Sequence, residues 1–156
     1  NVADITLGVV TGATFDLSLS TGAGVANADI NGTSVANIGT LALTNVGGTA
    51  TFTGNVSGTA VTADNTVVNV ALTGTGNTLA NNFAPTNTGT LALGAAAGTQ
   101  TYDGGIDTTG VGGVVTLKGT LATSDDLIKL GAVKARIESE AKAAIADRLR
   151  DQLKPQ

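Results

Sequence analysis

Short runs of alternating apolar and polar residues recur along most of this chain. They stand at Phe15-Asp-Leu-Ser-Leu19, Leu41-Ala-Leu43, Val67-Val-Asn-Val-Ala-Leu72, Leu91-Ala-Leu93 and Val114-Val-Thr-Leu117. A period of two, carried by Val, Leu and Thr and bounded by Gly and Asn, predicts half-buried β-strands. The runs follow one another at roughly 24 residues, the interval expected of a repeat built from one coil at a time. A longer echo overlies them. Gly39-Thr-Leu-Ala-Leu43 returns as Gly89-Thr-Leu-Ala-Leu93, and Gly48-Thr-Ala-Thr-Phe-Thr-Gly54 as Gly98-Thr-Gln-Thr-Tyr-Asp-Gly104. That echo predicts a unit of about 50 residues.

Two architectures satisfy this rhythm. In a β-solenoid each coil adds a strand to every face, and like side chains stack at the ~4.8 Å strand spacing. In a β-sandwich or jelly roll the same strands pair antiparallel around turns such as Asn45-Val-Gly-Gly48. Either way the chain reads as mainly β over residues 1–122. Leu41, Leu43, Leu91, Leu93, Val115 and Leu117 are expected to face inward, with Ala42 and Ala92 on the opposite side.

The pattern changes at residue 123. Thr123 and Ser124 can cap a helix, Asp125 and Asp126 suit its positive end, and Gly131 interrupts it. Residues 132–153 contain no Gly or Pro and are rich in Ala, Glu, Lys and Arg. They predict a helix, stopped by Pro155. Its apolar positions Val133, Ile137, Ala141, Ile145, Leu149 and Leu153 step by four. The stripe therefore winds round the helix by about 200° and suits a twisted partner surface. The expectation is two units, 1–122 as a β-rich repeat domain and 123–156 as an amphipathic helix and tail.

Composition then removes whole classes of chemistry. The 156 residues include no His, Cys, Met or Trp, and one Tyr, Tyr102. Acid–base catalysis at neutral pH mostly recruits His, and transition metals want imidazole or thiolate. The expectation is that this is not an enzyme. With aromatics at 3% and mean hydropathy of +0.25, the core must be assembled from aliphatic side chains and Thr methyls.

Charge is divided unevenly. The net charge is −4, and the eight Lys and Arg begin only at Lys118. Phosphate backbones demand cations, so residues 1–117 offer nothing to nucleic acid. No run of 18 apolar residues is present to span a membrane as a helix. The chain opens on Asn1 rather than Met, as a chain does after removal of a secretory signal.

Three motifs carry candidate chemistry. Asp103-Gly-Gly-Ile-Asp107 resembles half of a calcium loop, making Asp103 and Asp107 candidate Ca²⁺ ligands; an ordinary Asp-Gly turn is the plainer reading. Thr49-Ala-Thr-Phe-Thr53 and Thr99-Gln-Thr101 could form ranks of the ice-binding kind, or simply be solvent-facing strand threonines. Asn31-Gly-Thr33 and Asn55-Val-Ser57 match the glycosylation acceptor pattern.

The Gly-Thr-Leu-Ala-Leu and Gly-Thr-x-Thr-(Phe/Tyr)-x-Gly units, over residues 13–120, resemble the Thr/Gly/Asn-rich repeat segments of bacterial autotransporter passengers and other surface adhesins. The resemblance implies a secreted, adhesive or structural β-solenoid. Val115-Thr-Leu-Lys-Gly-Thr-Leu121 and the charged tail are similar instead to the ends of AsmA-like envelope proteins, which implies lipid handling.

The expected function is a self-associating extracellular subunit of a surface fibre, with its own copies as partner, a host or matrix surface as a further one, and no cofactor beyond the candidate Ca²⁺. The strand candidate Asp4, Ile5, Thr6, Leu7, Gly8, Val9 and Val10 is the expected assembly edge, since it lacks the Lys and Pro that guard edges. Ile137, Ile145, Leu149 and Leu153 are expected to serve assembly from the helix. A segment of a secreted adhesin is the alternative.

Overall fold

A computed structural model describes residues 3–125 and 128–130. The helix expected over 132–153 lies outside them, as do the assembly positions Ile137, Ile145, Leu149 and Leu153. No helix among the described residues is long and apolar enough to cross a membrane.

The described chain is a parallel β-solenoid with three faces. β1 (Ile5–Thr11) pairs with β3 (Ile30–Thr44), and every later strand likewise pairs with a strand one coil away, always in parallel. The first face stacks the start of β1, the start of β3, β4 (Thr49–Phe52), β6 (Asn69–Leu72), β8 (Leu91–Leu93) and β11 (Val115–Leu117). Its inward column reads Ile5, Ile30, Ala50, Val70, Leu91, Val115, one residue per coil. The second face continues through the middle of β3, β5 (Val56–Ala63), β7 (Thr78–Leu79), β9 (Thr99–Tyr102) and β12 (Thr120–Ala122). On the third face β2 (Leu17–Ser20) stacks on the end of β3 and then the end of β5. Phe83, β10 (Ile106–Asp107) and β13 (Ile128–Lys129) extend that face in the later coils.

The parallel pairing excludes the sandwich. The turn signals that a sandwich would use as hairpins are corners here. Asn45 adopts the left-handed region (φ 50°) and, with Val46-Gly47-Gly48, swings the chain from the third face to β4 on the first. The strand advances to a new face instead of reversing, so its partner lies about one coil away.

The 50-residue unit also resolves differently. Leu41 and Leu43 stack on Leu17 and Leu19 of the third face, whereas Leu91 and Leu93 stack on Val70 and Leu72 of the first. What the two pentapeptides share is a corner. The Thr40 amide donates to Asp16 Oδ1 in the coil before (2.6 Å), and the Thr90 amide to Asn69 Oδ1 (2.8 Å). The Thr49 amide donates to Asp29 Oδ1 (2.7 Å) in the same way. In each case the preceding glycine, Gly39, Gly89 or Gly48, lies so close under that oxygen that a β-carbon would overlap it. The repeated Gly-Thr is therefore the receiving half of a stitch between coils, usable on more than one face.

Leu41, Leu43, Leu91, Leu93 and Val115 are buried as expected, and Ala42 and Ala92 face outward, half-buried. Leu117 is only partly buried, unlike Val115 two residues earlier on β11. Each large side chain so enclosed contributes roughly 1.5–3 kcal/mol. Thr123 and Ser124 do not begin a helix within the described residues. The Ser124 hydroxyl donates to the Asp103 carbonyl one coil earlier (2.9 Å), and Ile128–Lys129 returns to the third face as β13.

Tyr102 sits in the interior, its ring stacked on Phe83 with centroids 5.7 Å apart, and its hydroxyl has no protein partner. Burial pushes the phenol pKa well above its usual value of 10.0. The neutral phenol is thus favoured by the folded state. Its contribution is complete below pH 10 and is lost as pH rises further. Because this is the one tyrosine, near-ultraviolet tyrosinate absorbance reads it alone. Tyrosinate is expected to form only together with loss of the β circular dichroism. An ordinary titration near pH 10 in a still-folded chain would contradict that placement. Tyr102→Phe, which removes an unpartnered buried hydroxyl, is expected to stabilise the fold by about 1 kcal/mol.

Candidate functional site: the end coils

Along the middle of the solenoid every strand has a neighbour on both edges. β1 and β2 each pair only with β3, and β11 only with β8, so among the described residues their outer edges carry no strand. The apolar side chains follow the same division. Val9 (71% exposed), Phe15 (77%), Val114, Ile128 and Leu130 are the exposed large hydrophobics among the described residues, and all belong to the first or last coil. The inward positions left partly buried, Ile5, Leu7, Val10, Leu17, Leu117 and Leu121, belong to those coils too. Each of these has a paired strand on one side only, which leaves it partly open, whereas Val115 in the last coil is already enclosed.

Of the residues expected to serve assembly, those at 4–10 lie in or just before β1, in the first coil. Ile5, Thr6, Leu7, Gly8, Val9 and Val10 lie in β1, with Ile5, Leu7 and Val10 turned inward and Thr6 and Val9 outward. Asp4 stands just before the strand and accepts the Asp29 amide at Oδ1 (2.9 Å), stitching the first coil to the second.

Asp103 and Asp107 are not brought to a common point by any contact. Asp103 is exposed after β9, its amide donating to the Leu79 carbonyl. The Asp107 carboxylate accepts the Thr109 hydroxyl and amide and lies 3.6 Å from Lys129 Nζ. The Thr109 bonds, and then Lys129, hold its carboxyl below the usual carboxylate range. Asp64 makes the same turn with Thr66 at the end of β5. Among the described residues no group of three or more acidic side chains could hold a metal ion.

The threonine motifs separate as well. Thr51, on the first face, stacks between Asn31 and Ala71. Thr99 and Thr101 lie on the second face, against Thr120 and Ala122. They do not form one rank. Beside the Asn45 corner an open cleft of about 430 Å³ is lined by Val25, Ala26, Gly47, Thr66 and Val68, without an ionisable group.

Sequence reasoning missed Phe15, Val114, Ile128 and Lys129 as end-coil residues, and Asp16, Asp29 and Asn69 as stitches. The stitches had a signal: an Asp or Asn stands 20–24 residues before Thr40, Thr49 and Thr90. The end-coil residues had none, since exposure there depends on where the stack stops.

The fold and its ends define a parallel β-solenoid whose end coils, among the described residues, leave strand edges and large apolar side chains uncovered. No protein-family model, curated protein or solved structure matches this chain.

Proposed function

We propose that this chain is an extracellular structural protein, a self-associating subunit of a surface fibre that assembles through its strand edges. The observation that carries the reading is that the exposed large apolar side chains, and the inward-facing ones left partly buried, belong to the two end coils among the described residues. Proteins that stay monomeric protect open edges with Lys, Pro or bulges. Residues 1–117 contain no Lys or Arg, and Pro85 is their one proline. Strand addition at such an edge supplies many backbone hydrogen bonds at once. A segment of a secreted adhesin is the second reading. It is favoured by the long small-residue faces of the solenoid, which offer a surface rather than a pocket.

Electron microscopy and sedimentation of the purified chain near neutral pH test the proposal. Concentration-dependent filaments are expected. Val9→Lys combined with Phe15→Lys should raise the concentration needed for assembly at least about tenfold and leave the monomer folded, because both side chains are exposed. A wild-type chain that stays strictly monomeric at high concentration would sink the fibre and leave the adhesin reading.

A further inference from the structure

The geometry points to a head-to-tail joint between copies in one specific register: the outer edges of β1 and β2 of one copy continue the ladders of β11 and β13 of the next. Ile5 then stacks on Val115, Leu7 on Leu117 and Leu17 on Ile128. This rests on the fibre reading and supplies its partner, orientation and register.

Every described ladder is parallel, so the first coil presents one kind of edge and the last coil the other. Two first coils brought face to face by a two-fold axis would run antiparallel and break the columns. A first coil on a last coil prolongs them. Such a contact is heterologous and does not close, which is the geometry of a filament.

The inward columns match at the joint, apolar on apolar. Ile5, Leu7 and Leu17 on one side and Leu117 on the other are half-covered in the single chain, and Ile128 is exposed. A second copy would complete their enclosure. Charge favours the same orientation. The first coil holds Asp4 and Asp16 and no cation, whereas the last stretch carries Lys118 and Lys129 against Asp125 and Asp126, so a head-to-tail contact avoids setting two acidic coils together. On the third face Ile128 heads the column Ile128, Ile106, Phe83 and Leu17 the column Leu17, Leu41, Val61; setting the first of each together puts Lys129 against Ser18. Asp16 is then its diagonal neighbour on the outward side, within reach of a lysine.

The chain has no cysteine of its own, so paired cysteines read the register directly. Thr6 and Thr116 are both exposed and occupy the same outward column. They lie five coil steps apart in one chain, roughly 24 Å at the ~4.8 Å strand spacing, beyond the reach of an internal disulfide. Chains carrying Thr6→Cys and Thr116→Cys are expected to oxidise into a ladder of multimers on a non-reducing gel. Ser18→Cys with Lys129→Cys should do the same on the third face. Thr6→Cys with Lys118→Cys, two residues out of register, should cross-link at least about tenfold less, since a disulfide demands Cα atoms within about 7 Å. Efficient dimers from Thr6→Cys alone would establish a two-fold joint and overturn the proposal. So would filaments in which neither in-register pair cross-links, although the fibre reading would stand. Absence of both filaments and cross-links would overturn the two together.

Discussion

Truncating Phe52 to alanine is expected to destabilise the solenoid by about 3–5 kcal/mol, a large part of the 5–15 kcal/mol that holds a typical domain folded. Phe52 is fully buried on the first face, in the column that runs Leu7, Gly32, Phe52, Leu72, Leu93 and Leu117. The ring has room because the coil above contributes a glycine. A β-carbon on Gly32 would overlap the Phe52 ring. Gly32→Ala alone should therefore cost about 1–3 kcal/mol by overpacking. Combining it with Phe52→Leu should cost clearly less than the two single changes added together, because the smaller side chain vacates the space the methyl needs. Urea unfolding of the four proteins gives the coupling directly. Strictly additive losses would show that the glycine and the ring do not share one space.

The second large effect is expected at Gly47. A β-carbon there would overlap the Val25 carbonyl oxygen and lie 2.9 Å from the Val25 carbonyl carbon and 3.0 Å from Ala26 Cα. These are backbone atoms of the coil before, tied to Gly47 by the Ala26–Gly47 bridge and by the Asn27 amide donating to the Gly47 carbonyl (3.1 Å). They cannot swing away as a side chain can. Gly47→Ala is expected to destabilise by about 3 kcal/mol. Gly8→Ala provides the contrast, since nothing lies within 4 Å of a β-carbon there and its backbone is not left-handed. That change should be neutral, or stabilising by about 0.4–1 kcal/mol through the unfolded chain. Equal losses at the two glycines in thermal melts would refute the close-approach account.

The end-coil site was half legible. β1 was visible as an apolar run without Lys or Pro. Lys129 and Ile128 were hidden within a stretch whose Ser, Asp and Gly signals suit a helix start just as well. Ser124 is spent instead on the Asp103 carbonyl, a partner 21 residues away that no local pattern reveals. Asp103 and Asp107 carry the opposite lesson. Two aspartates around Gly-Gly suggest a cation loop, yet the Asp107 carboxylate is engaged by Thr109 and Lys129.

The alternation marked the strand cores at Leu17–Leu19, Leu41–Leu43, Val70–Leu72, Leu91–Leu93 and Val115–Leu117 and the side of each that turns inward. It ran one strand out to Phe15, however, which is exposed before β2, and passed over β5. Alternation with a period of two places Leu41, Leu43, Leu91 and Leu93 inside whatever the strands pair with. Sequence by itself also determined that the chain turns near Asn45 and Gly48. That each turn leads to a new face rather than back along the old one is a matter of packing between coils. Alternation is identical in parallel and antiparallel sheets, and the angle of a corner is settled by contacts with the coil before it. The carboxylate of Asp16 over Gly39 and that of Asp29 over Gly48 are such contacts. For the same reason two identical pentapeptides stand on different faces: their local preference is for a strand entered under an Asp or Asn, and the neighbouring coil supplies that residue.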